Sequence, residues 1–190
     1  EAKQLAAHLR SKRGQFDGIL WQALGPRFFC TGGNLRFYAG LKSRGEGLRA
    51  NLQIRRILSQ FANLPQPKVA VVQGDCLGGG MEVLSLFDHV VVAPHAFLGF
   101  WQRRLGLTFG WGGGARWERK LGSGSLIRLM IESRSYSSYE ALRLGLVNEV
   151  HLPEQLRSAG ERWLRATLAL PKEPLPFLRR WTTSLESSAF

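Results

Sequence analysis

The stretch QGDCLGGGMEVLSLFDH, residues 73–89, decides the fold. Ahead of it, KVAVVQ is rich in valine and bounded by Pro67 and Gly74, as a buried parallel strand would be. Behind it, DHVVVA has the composition of another strand. Between them, Gly78-Gly79-Gly80 leads into MEVLSLF, which is short, apolar on nearly every side, and so expected to be a buried helix. A helix that begins at bare glycines points unpaired N–H groups out of its first turn and lets a ligand approach them closely. Among its apolar residues stands one carboxylate, Glu82.

Outward from this stretch the same alternation continues. FDGILWQALG carries a strand at Ile19-Leu20-Trp21, and PRFFCTGGNL is an apolar run broken by Gly32-Gly33. NLRFYAGLKSRGEG, basic and punctuated by glycine, is expected to be a surface loop. LRANLQIRRILSQFANLP forms an amphipathic helix with Leu48, Leu52, Ile54, Ile57, Leu58 and Phe61 as its apolar stripe. Further helices are expected in KQLAAHLRSK, GSGSLIRLMIE, SYEALRLGL, PEQLRSAGERWLRATLAL and PLPFLRRWTTSLESS, and a short strand in VNEVH. Ser137 with Glu140 three residues on makes a capping box. Strands alternating with helices give an α/β domain with a largely parallel sheet. No internal repeat stands out.

The chain has 190 residues, of which 44% are hydrophobic and 21% charged, which suits one soluble domain. No apolar run approaches the ~18–20 residues that span a membrane. The amphipathic, charged segment EAKQLAAHLRSKRGQFDG lacks the apolar core of a signal peptide, so a cytoplasmic location is the expectation. Cys30 and Cys76 lie in apolar contexts without zinc spacing, as two buried thiols and no metal site. The net charge of +12 favours anionic partners, but the arginines are scattered and no nucleic-acid motif accompanies them. His89 and His95 have no evident partner and are expected to be structural, while Asp75 is placed to brace the glycine turn. The aromatic residues Phe100, Trp101, Phe109 and Trp111 are expected to be core, with an acyl pocket as the alternative.

Three kinds of glycine site were weighed. GDCLGGGM has neither the Lys nor the Ser/Thr of a phosphate-binding P-loop. GWGGGA, Gly110 to Ala115, matches GxGxxA, but no good strand precedes it and no acid closes the unit. An oxyanion hole remains: the glycines of CTGG and of LGGG can each offer an N–H to one carbonyl oxygen that gains charge.

FFCTGGNL, then PKVAVVQGDCLGGGMEVLSLFDHVVVAPHAFLGF, GLTFGWGGGARW and SYSSYEALRLGLVNEV, in this order and spacing, resemble the crotonase superfamily, the enoyl-CoA hydratase/isomerase family. The resemblance runs from Asp17 to Val150. It implies a spiral of ββα units over residues 1–150 and a C-terminal helical segment, 151–190, used for oligomerisation, with a homotrimer or hexamer as the assembly. It implies that the Gly33 and Gly79 amides hold a thioester oxygen, and that Cys30, Thr31, Asn34 and Leu35 lie along coenzyme A, which is part of the substrate and not a tightly bound cofactor. Of the family's two acidic positions the first matches Glu82 and the second falls on Gln102. An amide orients groups but exchanges no protons. The implied activity is acyl-CoA chemistry of hydratase or isomerase type, with a malonyl-type decarboxylase or a non-catalytic, RNA-associated homologue as alternatives.

Overall fold

The computed structural model describes residues 16–184. The helix expected in KQLAAHLRSK lies outside the described residues. Strands come in successive pairs, each pair followed by helix. β1 (Ile19–Gln22) and β2 (Phe28–Cys30) precede α1 (Leu35–Ala39) and α2 (Arg44–Ala62). β3 (Lys68–Val72) and β4 (Asp75–Leu77) precede α3 (Gly79–Leu84). β5 (His89–Val92) and β6 (Phe97–Gly99) precede a 3-10 turn at Gln102–Leu105, α4 (Gly113–Leu121) and α5 (Ser123–Glu132). Then follow β7 (Tyr136–Ser137), α6 (Ser138–Arg143), β8 (Glu149–Val150), α7 (Pro153–Leu168) and α8 (Leu175–Ser184).

The first strand of each pair joins one sheet, in the order β1-β3-β5-β8, and the second joins another, in the order β2-β4-β6-β7. Neighbours are parallel except β6 and β7. The three pair-plus-helix units are thus a repeat of geometry that no residue pattern announces. The expected largely parallel pairing is present, divided between two sheets, one of them closed by the antiparallel β7.

β3 shows why the valines are there. Every residue of it is buried, because β1 and β5 flank it and α7 (Pro153–Leu168) packs on the sheet. α7 lays Leu156, Ala159 and Gly160 on this sheet, and a Cβ on Gly160 would come within 3.0 Å of Val71 Cγ2. On α2 the core contributors are Ile57, Leu58 and Phe61, while Leu48 and Leu52 are exposed. The stripe expected through Leu48 and Leu52 is displaced by one position. Gly47 and Asn51 continue the Leu58 face instead, and they line a cavity that needs no apolar filling.

The stretch expected to be a loop folds as α1 and the first turn of α2. Asn34 Oδ1 accepts the Arg36 and Phe37 N–H groups, and Ser43 Oγ accepts that of Glu46, so each helix start is satisfied by a side chain. The Ser137–Glu140 capping box opens α6 as expected. His89 has partners after all: its ring stacks on Trp163 at 4.8 Å, and Nε2 lies 2.8 Å from Glu149 Oε1. Lys68 is fully buried at the start of β3, with Nζ donating to the Leu64 and Gln66 carbonyls.

Candidate active site

The glycine turn after β4 is built for close contact. Gly78 has φ +54° and ψ −123°, a conformation open to glycine. Its N–H donates to Gly99 O at 2.8 Å, which ties the turn to β6. A Cβ on Gly80 would stand 1.9 Å from Cys30 O, and one on Gly32 would stand 2.8 Å from Gly79 N. The loops after β2 and β4 therefore meet backbone to backbone, and only glycine permits it. Among the described residues, neither the Gly33 nor the Gly79 N–H donates to a protein acceptor. Both glycines line a cavity of about 1010 Å³.

Glu82, 2% exposed, lies on α3 just beyond the turn. Its carboxylate is held by a loop of backbone: Oε1 accepts Gly110 N–H at 3.1 Å, and Oε2 accepts Trp111 N–H at 2.8 Å and Gly113 N–H at 2.9 Å. These are the amides of the GWGGGA segment, so the match to a dinucleotide loop is accounted for: its donors serve the protein's own carboxylate. Gly113 has no room for a side chain, since a Cβ there would lie 2.6 Å from Glu82. Arg116 secures the loop from behind, with Nε donating to Ser85 Oγ at 2.8 Å and a terminal nitrogen donating to Trp111 O at 3.3 Å. Trp117 Nε1 donates to Met81 O at 2.7 Å, joining α4 to α3. α4 has no clear signal in the sequence because its glycine-rich start resembles a ligand loop.

Gln102, 5% exposed, lies at the start of the 3-10 turn and lines the same cavity. Nε2 donates to Gly78 O at 3.1 Å, and Oε1 is buried without a hydrogen-bond partner. The side chain braces the turn that presents the Gly79 amide. Thr31 and Leu35 reach the cavity; Cys30 and Asn34 do not. The Cys30 carbonyl packs against Gly80, and the Asn34 carboxamide is occupied as the α1 cap. Asp75 accepts Phe97 N–H at 2.9 Å and so braces β6 against β4. Of the four aromatic residues, Trp101 and Trp111 line the cavity, whereas Phe100 is core and Phe109 packs edge-on against it.

Two cavity residues, Tyr38 and Asn51, carry no sequence signal, and they join Trp111, for which an acyl pocket is the alternative sequence reading. Tyr38 on α1, Asn51 on α2 and Trp111 before α4 form one hydrogen-bonded group, with Tyr38 Oη donating to Asn51 Oδ1 at 2.7 Å and Trp111 Nε1 donating to Asn51 Oδ1 at 3.1 Å. The Trp111 ring lies against both Gly33 and Gly79: a Cβ on Gly33 would approach it to 3.2 Å, and one on Gly79 to 2.9 Å. Among the described residues, no group of three or more His, Cys, Asp or Glu could hold a metal, and no helix is long and apolar enough to cross a membrane.

Comparison with known proteins places this geometry. Ethylmalonyl-CoA decarboxylase of Rattus norvegicus is 28% identical over 155 residues, covering 80% of this chain and 52% of the rat protein. The mitochondrial methylglutaconyl-CoA hydratase of Mus musculus is 33% identical over 151 residues, covering 80% of this chain and 47% of the mouse protein. The chain thus spans about half the length of these relatives. The crystal structure of enoyl-CoA hydratase from Bacillus anthracis superposes with a TM-score of 0.86 at 25% identity, covering 94% of this chain and 70% of that one. A family model described as enoyl-CoA hydratase/isomerase matches residues 3–181, and this chain belongs to that family.

Proposed function

We propose that this protein acts on an acyl-CoA thioester and stabilises its enolate. The observation that carries the reading is the pair of uncommitted N–H groups, Gly33 and Gly79, on loops in backbone contact at the wall of a large cavity. Two fixed donors aimed at one carbonyl oxygen are worth most where charge develops, about 2.7–4 kcal/mol in the transition state for each donor. Coenzyme A enters as part of the substrate. Glu82 retains one open lone pair, on Oε1, after its three backbone bonds, and serves as the base of a hydratase/isomerase-type reaction.

A decarboxylase is the second reading, and Gln102 favours it. Two-carboxylate hydration needs a second group that exchanges protons, and an amide pinned to Gly78 O does not. In decarboxylation the electrons of the breaking C–C bond pass to the thioester oxygen, CO2 leaves, and the enolate takes one proton. Assembly as a homotrimer or hexamer is part of the proposal; Phe177 and Leu178 on α8, 69% and 50% exposed, support a contact there.

The test is binding and turnover. A thermal-shift series of CoA thioesters should raise the melting temperature, acetoacetyl-CoA should show its enolate absorbance on binding, and either crotonyl-CoA should be hydrated or methylmalonyl-CoA should release CO2. Failure of every thioester to bind would overturn the reading.

A further inference from the structure

The cavity wall beside Glu82 carries a hydrogen-bond donor whose direction is fixed by its neighbours. A carboxamide has an oxygen end and a nitrogen end, and which faces which must follow from its partners. An indole N–H only donates, so the oxygen of Asn51 must face Trp111 Nε1, 3.1 Å away. Tyr38 Oη, 2.7 Å away, donates to that same oxygen. With two donors on Oδ1, the Asn51 NH2 is turned to the other side. There it lies over the loop that holds Glu82: a Cβ on Gly110 would be 3.1 Å from Nδ2. Among the described residues Nδ2 donates to no acceptor, and it is absent from the buried polar atoms that lack a partner, so it is open to the cavity that Asn51 lines.

The Trp111 indole touches Gly33 and Gly79 with its six-membered ring and holds Asn51 with its nitrogen. The same indole thus joins Asn51 to the two glycines, and Asn51, Gly33, Gly79 and Glu82 line one cavity. We infer that Asn51 is a specificity-determining residue that reads an oxygen acceptor on the acyl chain, so that the preferred substrates are acyl-CoA thioesters with a second oxygen function, not plain hydrocarbon chains. The inference rests on the acyl-CoA reading above. A hydrocarbon chain pressed against Nδ2 would strip its water and return no bond, whereas a carbonyl, hydroxyl or carboxylate oxygen would replace that water.

The experiment is a calorimetric binding panel of butyryl-CoA, acetoacetyl-CoA and methylmalonyl-CoA with wild type and Asn51→Asp. The aspartate keeps an oxygen for Tyr38 and Trp111, replaces the donor by an acceptor and adds a charge, so the comparison is made on the neutral pair butyryl-CoA and acetoacetyl-CoA. Wild type should bind at least one oxygenated thioester about ten-fold more tightly than butyryl-CoA. A gain confined to acetoacetyl-CoA assigns a neutral oxygen, and a gain for methylmalonyl-CoA an anionic one. In Asn51→Asp the ratio of acetoacetyl-CoA to butyryl-CoA affinity should fall to about one, whatever the added charge does to the affinity for butyryl-CoA itself. An equal preference in both proteins, or none in wild type, overturns the inference even while butyryl-CoA binding upholds the acyl-CoA reading. The wild-type panel decides the matter alone if the variant does not fold. If no thioester binds at all, butyryl-CoA included, the parent reading falls and takes this one with it.

Discussion

Replacing Glu82 by Gln changes one oxygen to an NH2 group and removes one charge, in a site where every backbone donor is already aimed. The variant can keep its amide oxygen where Oε2 was, accepting Trp111 and Gly113 N–H, but its nitrogen then faces the Gly110 N–H, donor against donor. A hydrogen bond to a charged group contributes about 1.5–3 kcal/mol and a neutral one about 0.5–1.5, so the two retained bonds weaken and the third is lost with its donor stranded. Burying a neutral amide in place of a carboxylate returns part of this. The net destabilisation should be about 2–3 kcal/mol, a fall in melting temperature of roughly 5–10 °C for a domain of this size. Urea unfolding gives the free energy, and turnover on the best thioester gives the chemistry. Both should fall, because the loop that loosens also carries Trp111 against Gly33 and Gly79. If Glu82→Gln unfolds within about 0.5 kcal/mol of wild type, the claim that this carboxylate organises the Gly110–Gly113 loop is refuted, whatever the activity does.

Gly80→Ala should destabilise by at least about 3 kcal/mol, since its Cβ meets a backbone oxygen at 1.9 Å, whereas Gly124→Ala in α5, with nothing within 4 Å, should gain about 0.5–1 kcal/mol; denaturant titration of the pair checks both. Burial, reinforced by Arg179 and opposed by Asp88, presses the pKa of Lys68 down to about 7. Between that value and the ordinary ~10.4 the unfolded chain binds more protons, so wild-type stability should rise with pH through this window, and Lys68→Met should rise less. Equal slopes in the two proteins from pH 7 to 9.5 would contradict this. Gln102→Glu places an acceptor against the Gly78 carbonyl in its ionised form, so it should not by itself create crotonyl-CoA hydration; hydration restored to Gln102→Glu, absent in wild type, would show that the Gly78 contact is dispensable.

What the sequence made legible follows the strength of the local signal. Lys68–Val72 and His89–Val92 are buried on both faces and so show valine runs, and Pro67 and Gly74 bound the first of them. The Ser137–Glu140 box is local chemistry and was readable as such. β4 and β6 have three residues each, too few to show alternation, so the second sheet was invisible. α1 lies inside a basic, glycine-punctuated segment and depends on the Asn34 side chain for its start. The partners of Glu82 come from a loop 28 to 31 positions away, and Asn51 meets Trp111 across 60. No periodicity reports such pairs, which exist because the parallel strands bring distant turns to one edge.

Glu82 and Gln102 together limit the chemistry more tightly than either alone. A carboxylate with three backbone donors is positioned to the degree that the backbone is, so its last lone pair points one way and cannot follow a substrate. An amide held by the carbonyl of Gly78 is likewise fixed, and it braces the turn on which Gly79 meets the cavity. On the proposed function, the fixed groups of the site stabilise charge on one oxygen and leave a single direction for a proton. Reactions that pass through an enolate and need no more than one proton movement at a time suit this arrangement. Concerted delivery of a hydroxyl and a proton by two mobile acids does not, and that distinction follows from which atoms already have partners.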